Sequence, residues 1–63
     1  MYLVHRRTKP DCIVDIFYDR ATGKYCFVNL TSKHVCSCRF TTPEEALKDM
    51  DHQHEVLSYE QIN

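Results

Sequence analysis

Four cysteines and four histidines in a chain of 63 residues are the first groups that could do chemistry. A structural zinc site usually spaces its ligand pairs with about two to four residues between cysteines and about three to five between histidines. Here the pairs are Cys36-Ser37-Cys38 and His52-Gln53-His54, each with a single residue between. On a strand that spacing puts both sulfurs on one face, where they reach a single ion only with distortion. On a helix it points the two side chains in different directions. No metal ligands are assigned, and no cofactor is expected. Nucleophilic catalysis asks for a thiol, an adjacent base and a third group that orients the base. His34 near Cys36 supplies the first two, but so small a domain has no second lobe with which to enclose a substrate. The chain also lacks a Gly-rich phosphate loop and an H-E-x-x-H sequence. It is therefore read as non-enzymatic. All four cysteines are expected to be reduced thiols on the core side, where a thiol behaves as a small apolar group.

Composition narrows the class further. Hydrophobic residues make up 43% and charged residues 27% of the chain, which is ordinary globular usage rather than the signature of disorder. A net charge of −1 weighs against sequence-blind binding to nucleic acid, because that affinity comes from many Lys and Arg displacing counterions from phosphates. The charge is unevenly placed. Arg6, Arg7 and Lys9 lie early, whereas Glu44, Glu45, Asp49, Asp51, Glu55 and Glu60 crowd the last third against Lys48. No apolar run approaches the roughly 20 residues of a membrane span. Met1-Tyr2-Leu3-Val4 followed by His5-Arg6-Arg7 lacks the apolar core of a secretory signal, so the cytoplasm is the expected compartment. One Gly and two Pro leave no linker, and residues 1–63 are read as a single domain.

The elements that must position these groups can be placed from pattern. Residues 12–18 and 24–30 are rich in β-branched and aromatic types and read as strands, joined through Asp19-Arg20-Ala21-Thr22-Gly23. A three-residue Ala21-Thr22-Gly23 loop would pair Arg20 with Lys24, Tyr18 with Cys26, Ile16 with Val28 and Val14 with Leu30. It would also put Gly23 at the left-handed position of a G1-bulge turn. Residues 34–40 alternate and read as a third strand. Tyr2 to Arg6 is a candidate fourth, ended by Pro10. Thr42 as N-cap, Pro43 at the first helical position and Glu45 three residues after the cap mark a helix start. The helix is expected over 43 to about 53, with Ala46, Leu47, Met50, His54 and Leu57 at spacings of three and four on one face. Residues 55–61 are left open between helix and strand. The predicted fold is α+β: a small three-stranded antiparallel sheet, four-stranded if 2–6 joins it, packed on one amphipathic helix in the order β-β-β-α.

With that register the helix side of the sheet carries Cys12, Val14, Ile16, Tyr18, Cys26, Val28, Leu30, Cys36, Cys38 and Phe40. Phe17, Tyr25 and Phe27 then lie together on the other side, and a contiguous exposed apolar patch generally marks an interaction site. Three aromatic anchors, with Arg39 and Asp15 as charged neighbours and Glu44, Glu45 and Asp49 on an acidic helix, make the expected partner-binding set. The acidic helix suits a basic groove on a larger protein. A homodimer stacked through the same aromatics is the structural alternative.

The run Phe40-Thr41-Thr42-Pro43-Glu44-Glu45-Ala46, leading from a third strand into a helix, resembles the arm-site DNA-binding domains of tyrosine recombinases over residues 12–50. That resemblance implies a small nucleic-acid-binding module, for which Arg6, Arg7, Lys9, Lys33 and Arg39 are the candidate contacts. The same layout, with an acidic helix and a length near sixty residues, is similar to small phage proteins that inhibit host enzymes. The leading expectation is a phage- or prophage-encoded binding protein that modulates or inhibits a larger host protein, without membrane association.

Overall fold

A computed structural model describes residues 1–62 as five strands and one helix. The strands are β1 (Tyr2–Arg6), β2 (Cys12–Asp19), β3 (Lys24–Asn29), β4 (His34–Val35) and β5 (Val56–Gln61), and α1 (Pro43–His52) lies between β4 and β5. They form one antiparallel sheet in the order β4-β3-β2-β1-β5. The α+β class is as expected, but the sheet has two strands beyond the three that the sequence pattern defined. β4 and β5 are the two edges, so the chain leaves one edge, crosses a single face as α1 and returns along the other edge. That path covers one side of the sheet and leaves the other bare.

The helix starts as its sequence requires. The hydroxyl of Thr42 accepts from the Glu45 backbone N–H at 3.2 Å. The Glu45 carboxylate reaches back one residue further than in a simple capping box and accepts from Thr41 N–H at 3.1 Å. α1 lays Ala46 and Met50, 0% and 3% exposed, onto a core of Val4, Cys12, Val14 and Phe27, with Phe40, Leu47, Val56 and Tyr59 packed around it. His54 and Leu57 do not continue this face: the helix stops at His52, His54 is exposed in the following turn, and Leu57 belongs to β5.

The β2–β3 hairpin departs from the predicted register by one residue. Asp19, not Arg20, pairs with Lys24, and the ladder continues as Tyr18 with Tyr25, Phe17 with Cys26, Ile16 with Phe27, Asp15 with Val28 and Val14 with Asn29. The cause lies in the side chain of Asp19. Its carboxylate accepts from Ala21 N–H at 3.0 Å and from the Thr22 hydroxyl at 3.2 Å, while its carbonyl accepts from Gly23 N–H at 2.8 Å. These bonds make Asp19 the start of the turn as well as the last paired residue, and the loop takes four residues instead of three. Gly23 still occupies the left-handed region, at φ +70°. Because side chains alternate along a strand, one step of slip turns all of β3 over relative to β2.

The predicted third strand is cut short. After β4, Cys36 N–H donates to Phe27 O at 3.0 Å, and Phe40 rejoins the sheet by exchanging two 2.8 Å bonds with Tyr25. Ser37, Cys38 and Arg39 loop out between these points, opposite Cys26. β5 pairs along the whole of β1, with a break in register between His5 and Arg6. Tyr2 and Tyr59 meet edge to face at 5.9 Å on the helix side of that pair.

Candidate functional site

The bare face of the sheet is the feature with most to offer a partner. Cross-strand neighbours share a face, and the register places Leu3 beside Ile13, Asp15 beside Val28, Phe17 beside Cys26 and Val28 beside Val35. Leu3, Ile13, Phe17, Val28 and Val35 therefore share this face across four strands, with Asp15 set between Ile13 and Phe17 and opposite Val28. Phe17 is 38% and Val35 49% exposed. Leu30, 43% exposed, lies just past β3 at one end of the band. The acids on this side are Asp15, 3.7 Å from the terminal ammonium of Met1, Glu60, opposite Leu3, and Asp19 at the hairpin end, which is taken by Arg39.

This surface is not the one predicted. The flip of β3 carries Phe27 beneath the helix, where it is 7% exposed and packs edge to face on Phe40 at 5.3 Å. It carries Tyr25 to the same side, against Tyr18 at 5.3 Å. Of the three expected aromatic anchors, Phe17 alone remains on the bare face, and the aliphatic Val28 takes the place assigned to Phe27. The acidic helix is separated from this surface by the thickness of the sheet, so a flat partner cannot meet Phe17 and Glu44 or Asp49 together. Glu45 is already engaged in capping.

Arg39 is also committed within the fold. Its Nε donates to Asp19 Oδ2 at 3.2 Å, and Nη1 donates to the carbonyls of Cys36 and Cys38 at 2.9 and 3.0 Å. It ties down the excursion at 37–39. The backbone N–H of Ala21 holds the Asp19 carboxyl below its usual range, with the Thr22 hydroxyl and Arg39 adding to the effect.

The cysteines divide between the two sides. Cys12 and Cys36 face the helix, as expected. Cys26 turns away with the rest of β3's even positions, yet is fully buried, and burial pushes its thiol pKa up. Cys38 is exposed, which corrects its placement in the core. Its backbone N–H donates to Cys36 Sγ at 3.3 Å, and the hydrogen bond between the two thiols raises its pKa. All four are free thiols, and among the described residues no three of His, Cys, Asp and Glu gather as a metal would need.

The basic residues proposed for nucleic acid do not form one surface. Arg6, Arg7, Lys9 and Lys33 lie at the end of the sheet where β1 turns into β2 and β3 into β4, while Arg39 is at the opposite end. Arg6 Nε donates to Pro10 O at 2.8 Å and Arg7 Nε to His54 O at 3.1 Å. Glu55 sits among them and accepts from the Thr8 hydroxyl and backbone N–H, which hold its pKa down. No helix of the described residues is long and apolar enough to cross a membrane.

Comparison with known proteins gives no match: no family model fits the chain, and no characterised protein or solved structure is significantly similar to it.

Proposed function

We infer that the chain is a small non-catalytic binding protein that docks on a larger protein through the bare face of its sheet, and modulates or inhibits that partner by occupying it. The observation that carries this reading is the group of apolar side chains Leu3, Ile13, Phe17, Val28 and Val35 on the face opposite α1, over which no helix or further strand of the described residues packs. A single-layer cover leaves such a band in water, and a band of this kind is where association gains most. The partner should offer an apolar centre with cationic groups placed toward Asp15 and Glu60. Free thiols at all four cysteines suit a reducing compartment such as the cytoplasm.

Area favours a larger partner over a second copy. Five strands about 4.8 Å apart and about six residues long present roughly 400–500 Å². Two such faces stacked together would bury roughly 800–1,000 Å², short of the about 1,200–2,000 Å² of stable interfaces. A larger protein can wrap the rim of the sheet and supply the rest.

The test is affinity capture with the wild-type chain, Phe17→Asp, Val35→Asp and the helix variant Glu44→Lys/Asp49→Lys. The face variants, confirmed as folded by circular dichroism, should lose partners that the helix variant keeps. Loss with the helix variant alone would move the site to α1. Sedimentation that shows a micromolar dimer dissociated by Phe17→Asp would replace the larger partner with a second copy.

A further inference from the structure

On the helix side of the sheet, away from the docking face, the fold holds a cleft of about 150 Å³ between the C-terminal end of α1 and the ends of β1 to β5. Its floor is apolar and buried, formed by Val14, Cys12, Phe27 and Met50. Its mouth is polar. Arg6, Asn29, His34 and Gln53 line it, and among the described residues no carboxylate does.

At two of these side chains, Asn29 and Arg6, the hydrogen bonds already made leave donors for a ligand. Asn29 Oδ1 is taken by the backbone N–H groups of Thr31 and Ser32, at 3.0 and 3.1 Å, which leaves its side-chain NH₂ to donate. Arg6 spends Nε on Pro10 O and keeps its terminal nitrogens for a second partner. A guanidinium with two nitrogens available is the group that best matches a carboxylate. Size sets the other half of the ligand. A cavity of about 150 Å³ holds a six-carbon body such as benzene, whereas pockets for nucleotides and drug-sized molecules run to about 300–1,000 Å³.

We propose that this cleft is a binding site for a small monocarboxylate with an apolar body of about six carbons, the body seated on Val14, Phe27 and Met50 and the carboxylate held at the mouth by Arg6 and Asn29.

The test is a titration of the ¹⁵N-labelled full chain followed by amide shifts, with hexanoate, hexanol and acetate as probes. Hexanoate should produce saturable shifts at Cys12, Asn29, Cys36 and Gln53, with affinity at least about tenfold above both hexanol and acetate, the scale of one charge-assisted hydrogen bond. Arg6→Gln should bring hexanoate down to the level of hexanol. Equal binding of hexanol would overturn the role of the carboxylate, and equal binding of acetate the role of the apolar floor. An absence of saturable shifts with all three would overturn the site. The comparison of probes is made on the wild-type chain, so it stands even where Arg6→Gln fails to fold.

Discussion

Replacing Phe27 and Phe17 by alanine, one at a time, separates the two hairpin registers by stability. Both are aromatic, both lie mid-strand, and the register expected from the sequence puts them on the same bare face, where they would cost the same. In the structure Phe27 is 7% exposed, under α1 and against Phe40, whereas Phe17 is 38% exposed with no helix above it. Truncating a buried phenylalanine loses both transfer energy and the packing around the hole it leaves, about 3–5 kcal/mol. At Phe17 only part of the transfer term, about 1–2 kcal/mol, is lost, and the space left opens to water. A domain of this length has about 3–9 kcal/mol of stability in all. Phe27→Ala should therefore be mostly unfolded without denaturant, or have its urea midpoint lowered by several molar at a slope of about 1 kcal/mol per molar. Phe17→Ala should keep a cooperative transition, its midpoint lowered by about 1–2 M on the same slope. The measurement is urea unfolding followed by circular dichroism. Equal midpoints for the two variants would refute the register with Asp19 opposite Lys24, and with it the apolar band.

Three further outcomes can be checked independently. Thr42→Ala removes the acceptor for Glu45 N–H and should cost about 1 kcal/mol, read calorimetrically as a melting temperature lower by ~4–8 °C. The Glu55 carboxyl, held below its usual range first by the Thr8 hydroxyl and then by Thr8 N–H, contributes stability above its unfolded value of about pH 4.3 and loses it as pH falls through the lower folded value. Thr8→Val should return the Glu55 titration, followed by carbon NMR, toward the usual range, and an unchanged curve would count against the contact. Cys38 should be the first cysteine alkylated by iodoacetamide, with Cys12 and Cys26 protected until the chain unfolds. Its raised pKa holds back the thiolate, so Cys36→Ala should speed Cys38 labelling at neutral pH, as read by mass spectrometry.

How much of this was legible in the residues depended on whether the signal was local. Thr42-Pro43-Glu44-Glu45 sets the helix start by contacts within four residues, and α1 begins there. Gly23 marked the hairpin turn correctly, because a left-handed backbone favours glycine whichever register the strands adopt. The register depended on a side chain, since Asp19 bonds to Ala21 and Thr22 and so lengthens the loop by one residue. An apolar pattern cannot report that when both faces of β3 offer apolar residues, Tyr25 and Phe27 on one and Cys26 and Val28 on the other. β5 was hidden for a related reason. The register break near Arg6 leaves Val56 and Tyr59, which both pack toward the helix, three residues apart instead of two, and that spacing also fits a helix. The cleft is not legible in the sequence because its walls come from six segments that meet only in the fold.

The edges of the sheet bear on which surface is left for association. An exposed edge strand offers unpaired backbone groups to any passing strand, and proteins guard against this with short strands, bulges and charge. Both edges here carry such devices. β4 is two residues long, and the chain then leaves the ladder at Ser37, Cys38 and Arg39, held there by Arg39 on the carbonyls of Cys36 and Cys38. β5 breaks register beside Arg6 and carries Glu60 in its second half. Strand addition at either edge is thus discouraged, while the face from Leu3 to Val35 carries fewer guards: Glu60 lies at its rim and Asp15 sits between Ile13 and Phe17, opposite Val28. On the docking we propose, a fold that blunts its edges and leaves one face largely apolar would meet its partner face-on, and the Phe17→Asp variant tests that contact without disturbing the core on the far side of the sheet.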